Sequence, residues 1–214
     1  NALQSQINPH FLYNTLAIID GIASMKGERE ISRISQALSD IFRYSISGSE
    51  FVTVEEEMKQ VKLLLSIQEI RNKDRLTYII KVDESIKDCM IAKLLVEPIV
   101  ENSIIHGVER KRGQVCISVE AKPQGDDIQI TIKDNGAGIS PDKLESLKNE
   151  MDSAASTFRH LSENRSRHIG ISNVNRRIKL YYGDKYGVRI ESEKGSGTIV
   201  TILIPQKRQG EDDA

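Results

Sequence analysis

The chain of 214 residues has no tryptophan, only two cysteines and few aromatic residues, and its charges cancel to a formal net of −1. Each scarcity excludes something. With 30 basic against 31 acidic residues there is no global field to draw nucleic acid or an anionic surface, so no nucleic-acid partner is expected. Cys89 and Cys116 lack Cys-x-x-Cys spacing, and their surroundings read as buried or half-buried strand edges, so neither a metal centre nor an oxidising compartment follows. No apolar run approaches the roughly 18 residues that span a bilayer, and no signal peptide precedes Asn1. A soluble, cytoplasmic chain is expected. It opens without methionine and already in a helical pattern, which reads as a piece of something longer.

What is present organises into two units and a tail, at 1–49, 50–205 and 206–214. Leu3, Ile7, Phe11, Ile18, Ile22 and Met25 recur at helical intervals over about residues 2 to 25. Pro9 interrupts that helix beside His10, freeing the Ser5 carbonyl, and Asn14 stands one turn after His10 on the same side. After Gly27, Ile31, Ile34, Leu38 and Ile41 follow at the three-and-four spacing of a bundle seam. A hairpin of two antiparallel helices cannot bury both stripes alone, so a homodimeric four-helix bundle is expected. Gly48-Ser49 reads as a hinge. Beyond it the pattern predicts a helix over 54–72, a strand over 76–82, a helix over 92–107, strands over 114–121 and 128–133, a mobile polar stretch with a short helix over 142–167, a helix over 173–182, and strands over 188–192 and 198–204. The charged residues 206–214 read as a disordered tail. Strands with helices on one side make an α+β sandwich.

Four short strings could carry chemistry. In Asp134-Asn135-Gly136-Ala137-Gly138, directly after a strand, the glycines allow close backbone approach and Asp134 can accept a hydrogen bond from an exocyclic amine such as adenine's. Glu101-Asn102 lies on a helix with His106 one turn on, and the Asn102 amide oxygen suits a hard cation such as Mg²⁺. Gly170 opens a helix bearing Arg176 and Arg177, and helix N-termini favour phosphate. Gly195-Ser196-Gly197-Thr198 precedes the last strand. Each has an ordinary alternative: an Asp-Asn-Gly turn, a helix end at His106-Gly107, an N-cap at Ser172 with a solvated basic face, and a tight turn at Gly195–Gly197.

In their order these strings resemble the ATP-binding domain of the histidine kinase, DNA gyrase, Hsp90 and MutL superfamily, the Bergerat fold, over residues 97–204. Gln6-Ile7-Asn8-Pro9-His10-Phe11-Leu12-Tyr13-Asn14 and Leu38-Ser39-Asp40-Ile41-Phe42-Arg43-Tyr44-Ser45 look like the dimerisation and phosphoacceptor segment of sensor histidine kinases of the LytS and YesM type. The resemblance implies ATP and Mg²⁺ as cofactors, His10 as phosphoacceptor, Asn102 as Mg²⁺ ligand and Asp134 as the adenine-recognising acid. Gly136, Gly138 and Gly170 would shape the pocket, with His106 against adenine, Asn173 near the phosphates and Thr198 at the later glycine turn. Residues 142–168 would be the ATP lid, with Arg159, Arg165 and Arg167 as phosphate contacts. Phe11 and Ile105 depart from acidic and basic residues common in the family, so Glu101 stands in as the group that orients or deprotonates His10. Pro98 stands four residues before Asn102, where the gyrase-like and Hsp90-like ATPases have their water-activating glutamate, and this disfavours simple hydrolysis.

The expected chemistry is in-line transfer of the γ-phosphoryl group to a neutral imidazole, then relay to an aspartate of a response regulator receiver domain. The expected setting is the cytoplasmic part of a membrane sensor. Two other readings are a superfamily ATPase that forms no phosphohistidine and a degenerate dimeric signalling module.

Overall fold

A computed structural model describes residues 9–46, 48–108, 113–153 and 169–208. Leu3, Ile7, the Ser5 carbonyl, Arg159, Arg165, Arg167, most of the expected lid and the end of the tail lie outside those residues.

Helices α1 (Pro9–Met25) and α2 (Arg29–Ile46) form the hairpin, turning at Gly27. Its register is set by Asp20, whose carboxylate accepts from Ser32 Oγ at 2.5 Å and Gln36 Nε2 at 3.1 Å, both on α2. These donors hold the Asp20 acid below its usual range. The hairpin buries little of itself: Ala23, Ser35 and Ala37 are its only described buried residues. Phe11, Ile18 and Met25 are 66%, 62% and 83% exposed, an apolar stripe facing outward on α1.

The second unit begins at β1 (Phe51–Thr53), which runs straight into α3 (Val54–Asn72). Thr53 makes a capping box there: its Oγ1 accepts from Glu56 N–H at 3.1 Å while its own N–H donates to Glu56 Oε2 at 2.9 Å. Strand β2 (Leu76–Val82) follows, then β3 (Met90–Ala92), which pairs antiparallel with β1; sequence reasoning missed β1 and β3 because each has only three residues. The main sheet adds β4 (Val115–Gln124), β5 (Asp127–Asp134), β6 (Gly187–Glu193) and β7 (Gly197–Pro205) in the order β2-β4-β5-β7-β6, parallel only between β2 and β4. Helices α4 (Glu97–Ser103), α5 (Pro141–Ser153) and α6 (Ile169–Tyr182) complete the unit. The core lies between α3, α4 and α6 and the inward rows of the sheet, including Leu65, Ile99, Ile178, Ile117, Ile130 and Ile202. The fold is the α+β arrangement expected, a helical hairpin followed by an α/β sandwich.

Three boundaries differ from expectation, each for a tertiary reason. The helix expected over 92–107 starts only at Glu97, because Ala92 belongs to β3 and residues 93–96 turn, with Leu94 at φ +59°. The backbone of that turn is held from far away. Glu57 Oε2 and Oε1 accept from Leu94 and Val96 N–H at 2.9 Å each, and Arg177 donates to the Leu94 and Lys93 carbonyls at 2.9 and 2.7 Å. Arg177 is thus spent on backbone rather than offered to phosphate. Helix α6 starts at Ile169, which puts Ser172 inside it rather than at its cap. Residues Gln206–Arg208, expected in a disordered tail, are held: Gln206 N–H donates to the Asp126 carbonyl at 3.0 Å, and Met90 N–H to the Lys207 carbonyl at 2.8 Å. Among the described residues no helix is long and apolar enough to cross a membrane.

Candidate nucleotide site

Strand periodicity puts Asp134 where it is needed. Ile128, Ile130 and Ile132 face the core at intervals of two, and Asp134 is the next inward position, leaving an acid 5% exposed at the strand end. Its Oδ1 accepts from Gly136 N–H at 2.8 Å, an Asx turn that folds the glycine loop back. The antiparallel register sets Thr198 of β7 directly opposite Asp134, and Ser192 of β6 opposite Thr198. Ser192 Oγ donates to the Gly197 carbonyl at 2.7 Å and accepts from Ile139 N–H at 2.9 Å, which leaves the Thr198 hydroxyl as donor in their 2.9 Å contact. Ser192 therefore ties the loop after β5 to the turn before β7. No sequence signal marked it.

The glycines serve close approach. A Cβ at Gly138 would lie 1.9 Å from the Glu193 carbonyl oxygen, one at Gly197 2.1 Å from that of Asp134, and one at Gly136 2.3 Å from Gly107 Cα. Gly195 N–H donates to the Ala137 carbonyl at 2.7 Å, so the two glycine loops rest on each other. Gly197 thus does more than make the tight turn expected of it.

Across the cavity stands α4. Pro98 sits in its first turn, where a missing N–H costs no helical bond. Asn102 Nδ2 donates to the Pro98 carbonyl at 2.9 Å, which orients its Oδ1 away from that carbonyl. Past Ser103 the helix widens to a π turn over Ile104–Val108, bringing His106 into the cavity lining and Gly107 against Asp134. Gly170, at the start of α6, abuts Asn102: a Cβ there would fall 2.6 Å from Nδ2.

The resulting cavity is about 360 Å³, within the range of roughly 300–1,000 Å³ that small-molecule sites occupy. Asn102, His106, Asp134, Gly138 and Thr198 line it, with Gly136 and Gly170 immediately behind. Asn173 and Glu101 do not line it, and both side chains are exposed. Its rim carries Lys143 and Lys194, cations that motif reading passed over because neither belongs to a recognisable string. Of the expected lid, residues 142–153 belong to α5, whose Leu147 closes one wall. No residue of α1 or α2 lines the cavity.

His10 stands apart on α1, exposed, with Asn14 Nδ2 3.1 Å from its Nδ1. This is the i, i+4 contact their spacing foretold. An amide N–H donating to Nδ1 puts the neutral ring's own proton on Nε2; a half-turn of the Asn14 amide reverses the tautomer and leaves a lone pair on Nε2.

Residues 1–76 match the family model described as histidine kinase, and residues 88–208, more than half of the chain, match that of the histidine kinase-, DNA gyrase B-, and HSP90-like ATPases. The chain belongs to the histidine kinase family. Its sequence is 35% identical over 209 residues to sensor histidine kinase YesM of Bacillus subtilis. It is 33% identical over 210 residues to sensor histidine kinase YpdA of Escherichia coli, and 30% over 216 residues to sensor histidine kinase/phosphatase LytS of Staphylococcus aureus. These alignments cover 97%, 97% and 99% of the chain but 33%, 34% and 35% of the relatives, so it spans about a third of their length. Among solved structures, the catalytic domain of histidine kinase ThkA superposes with TM-score 0.54 at 13% identity, over 74% of this chain and 99% of that one. The histidine kinase domain of a blue-light activated kinase from Erythrobacter litoralis gives 0.50 at 16%, over 92% and 96%. At such identities the likeness establishes the fold of the histidine kinase catalytic domain, with the hairpin before it.

Proposed function

We propose that this chain is an ATP-dependent protein-histidine kinase that phosphorylates its own His10 and passes the phosphoryl group to an aspartate of a response regulator receiver domain. In this reading it is the cytoplasmic output portion of a homodimeric sensor, residues 1–49 forming the phosphoacceptor hairpin and 50–205 the catalytic domain. One observation carries the proposal: a single chain holds an exposed imidazole braced by Asn14 and a nucleotide-sized cavity on which Asn102, His106, Asp134 and Thr198 converge.

The donor set fits Mg-ATP. Asp134 is an acceptor at the buried end of a strand, suited to an exocyclic amine, and His106 offers a ring to stack on. Among the described residues no group of three or more His, Cys, Asp or Glu could hold a metal, so the cation would rest on Asn102 Oδ1 and on oxygens the nucleotide brings. When bound, Mg-ATP supplies the phosphoryl group and the charge neutralisation that its transfer needs. The chain's own part is to orient. Asn14 turns its amide oxygen to His10 Nδ1–H, which leaves the Nε2 lone pair outward as nucleophile. Asn102 fixes the cation side, and Lys143 and Lys194 add positive charge at the rim, where Ile105 offers none. The outward stripe of Phe11, Ile18, Ile22 and Met25 supports pairing with a second copy.

Phosphosite mapping after incubation with ATP and Mg²⁺ tests the proposal. Label on His10 that disappears in His10→Ala is expected. Label of equal intensity in that variant, or steady phosphate release without any labelling, would overturn it.

A further inference from the structure

Behind α4, on the side away from the cavity, Tyr44 of the hairpin reaches a buried carboxylate of the catalytic domain. Glu57 of α3 is fully buried and its two oxygens take three hydrogen bonds: Oε1 from Val96 N–H, Oε2 from Leu94 N–H, and Oε2 again from the Tyr44 hydroxyl of α2. Leu94 and Val96 belong to the turn that launches α4, whose next turn carries Asn102. The Tyr44 ring is covered by the Lys93 ammonium, 4.7 Å from its centroid, and Arg177 clamps the carbonyls of Lys93 and Leu94. Burial and the neighbouring Glu57 and Glu97 carboxyl groups push the phenol's pKa strongly upward, so the hydroxyl keeps its proton as a donor. Glu97 lies on this rear side of α4, near Tyr44, whereas Ile99, Asn102 and His106 line the cavity. The tip of α2, at the His10 end of the antiparallel hairpin, is therefore docked on α3 and on the turn that leads into the helix whose other side lines the cavity.

We infer that the Tyr44–Glu57 contact is a releasable latch, holding the hairpin behind α4 in a resting arrangement that must open before the pocket can reach a phosphoacceptor histidine. The inference rests on the kinase reading above. Glu57 is the positioning residue: three of its bonds belong to the catalytic domain's own order or to the hairpin's docking, and only the Tyr44 bond can break without disturbing the turn before α4. The other two stay with the domain when it moves.

Tyr44→Phe removes the hydroxyl and keeps the ring beneath Lys93. Losing a hydrogen bond to a buried carboxylate should shift the docked-to-open ratio by roughly tenfold. Two readouts are needed, both on the dimer with ATP and Mg²⁺ or ADP. The first is the separation of spin labels at Gln36→Cys and Lys62→Cys, with the two native thiols replaced by alanine, since Gln36 and Lys62 line the same groove between α2 and the catalytic domain. The second is the initial rate of His10 labelling alongside calorimetric ADP affinity. Longer and broader separations in Tyr44→Phe, with a faster labelling rate and unchanged ADP affinity, are expected. Unchanged separations overturn the latch whatever the labelling does, and open separations with an unchanged or slower rate overturn its resting-state role. Open separations with no label on His10 in either chain leave the latch standing and sink the kinase reading instead.

Discussion

Replacing Gly138 by alanine, with Gly125→Ala as its control, isolates the close contact between the two glycine loops. The backbones match: φ is +64° at Gly138 and +62° at Gly125. Their surroundings do not. A Cβ at Gly125 meets nothing within 4 Å, whereas at Gly138 it would stand 1.9 Å from the Glu193 carbonyl oxygen, 2.7 Å from its carbon and 3.1 Å from Lys194 Cα, all backbone atoms that no rotamer change can remove. Both variants bear the left-handed penalty of roughly 1–2 kcal/mol, offset by about 0.4–1 kcal/mol from the stiffer unfolded chain. Only Gly138→Ala adds overpacking, about 1–3 kcal/mol. For a domain of this size each kcal/mol lowers Tm by about 2–4 °C, so Gly138→Ala should melt roughly 2–12 °C below Gly125→Ala. Thermal unfolding by circular dichroism measures the difference. Calorimetry with ADP adds a second axis, because displacing the loop from Glu193 moves the cavity wall: binding weakens in Gly138→Ala and holds in Gly125→Ala. Equal melting temperatures and equal ADP affinities would refute the close-approach argument for the glycine loop.

Two further outcomes follow from burial. Burial first, then the Glu101 and Glu57 carboxylates, lifts the Glu97 carboxyl from an ordinary 4.5 to about 7. The folded chain therefore keeps a proton that the unfolded chain gives up between those values, and stability should fall as pH rises from about 4.5 to 7 and then level. Glu97→Gln should remove that part of the slope in denaturant midpoints taken between pH 4.5 and 8; an identical slope in both chains contradicts the assignment. On the hairpin, Ile22→Glu places a charge in the exposed stripe and should convert a dimer to a monomer in sedimentation equilibrium. An unchanged molar mass would place the dimer contact elsewhere.

The placement of the imidazole and of most cavity residues was legible because these residues sit in local patterns. His10 and Asn14 are four apart on one helix, and Asp134 continues the two-residue alternation of Ile128, Ile130 and Ile132, so short-range geometry already set their directions. Asn102 and His106 share a helix side for the same reason. Glu101, expected to orient or deprotonate His10, adjoins Asn102 in sequence but is exposed and off the cavity, since successive helical residues point about 100° apart. Asn173, expected near the phosphates, is exposed on α6 and does not line the cavity, while Asn175 turns inward, accepting from Val188 N–H at 2.9 Å and donating to the Met151 carbonyl at 3.2 Å.

The amino-acid order by itself determined the two-part architecture, the braced imidazole and the glycine loop that follows an inward acid, since each depends on residues within about one helical turn or one strand. Tertiary structure alone decided what those parts touch. Gly125 and Gly138 have nearly the same φ, yet only one faces a carbonyl from a strand some fifty-five residues on. Glu57 reads as one acid among three at a helix start, but folding buries it beneath Tyr44, Leu94 and Val96, where backbone donors with no local partner find it. A buried carboxylate must be satisfied by whatever the fold brings to it, and that pairing is a property of where α2, α3 and the turn before α4 meet.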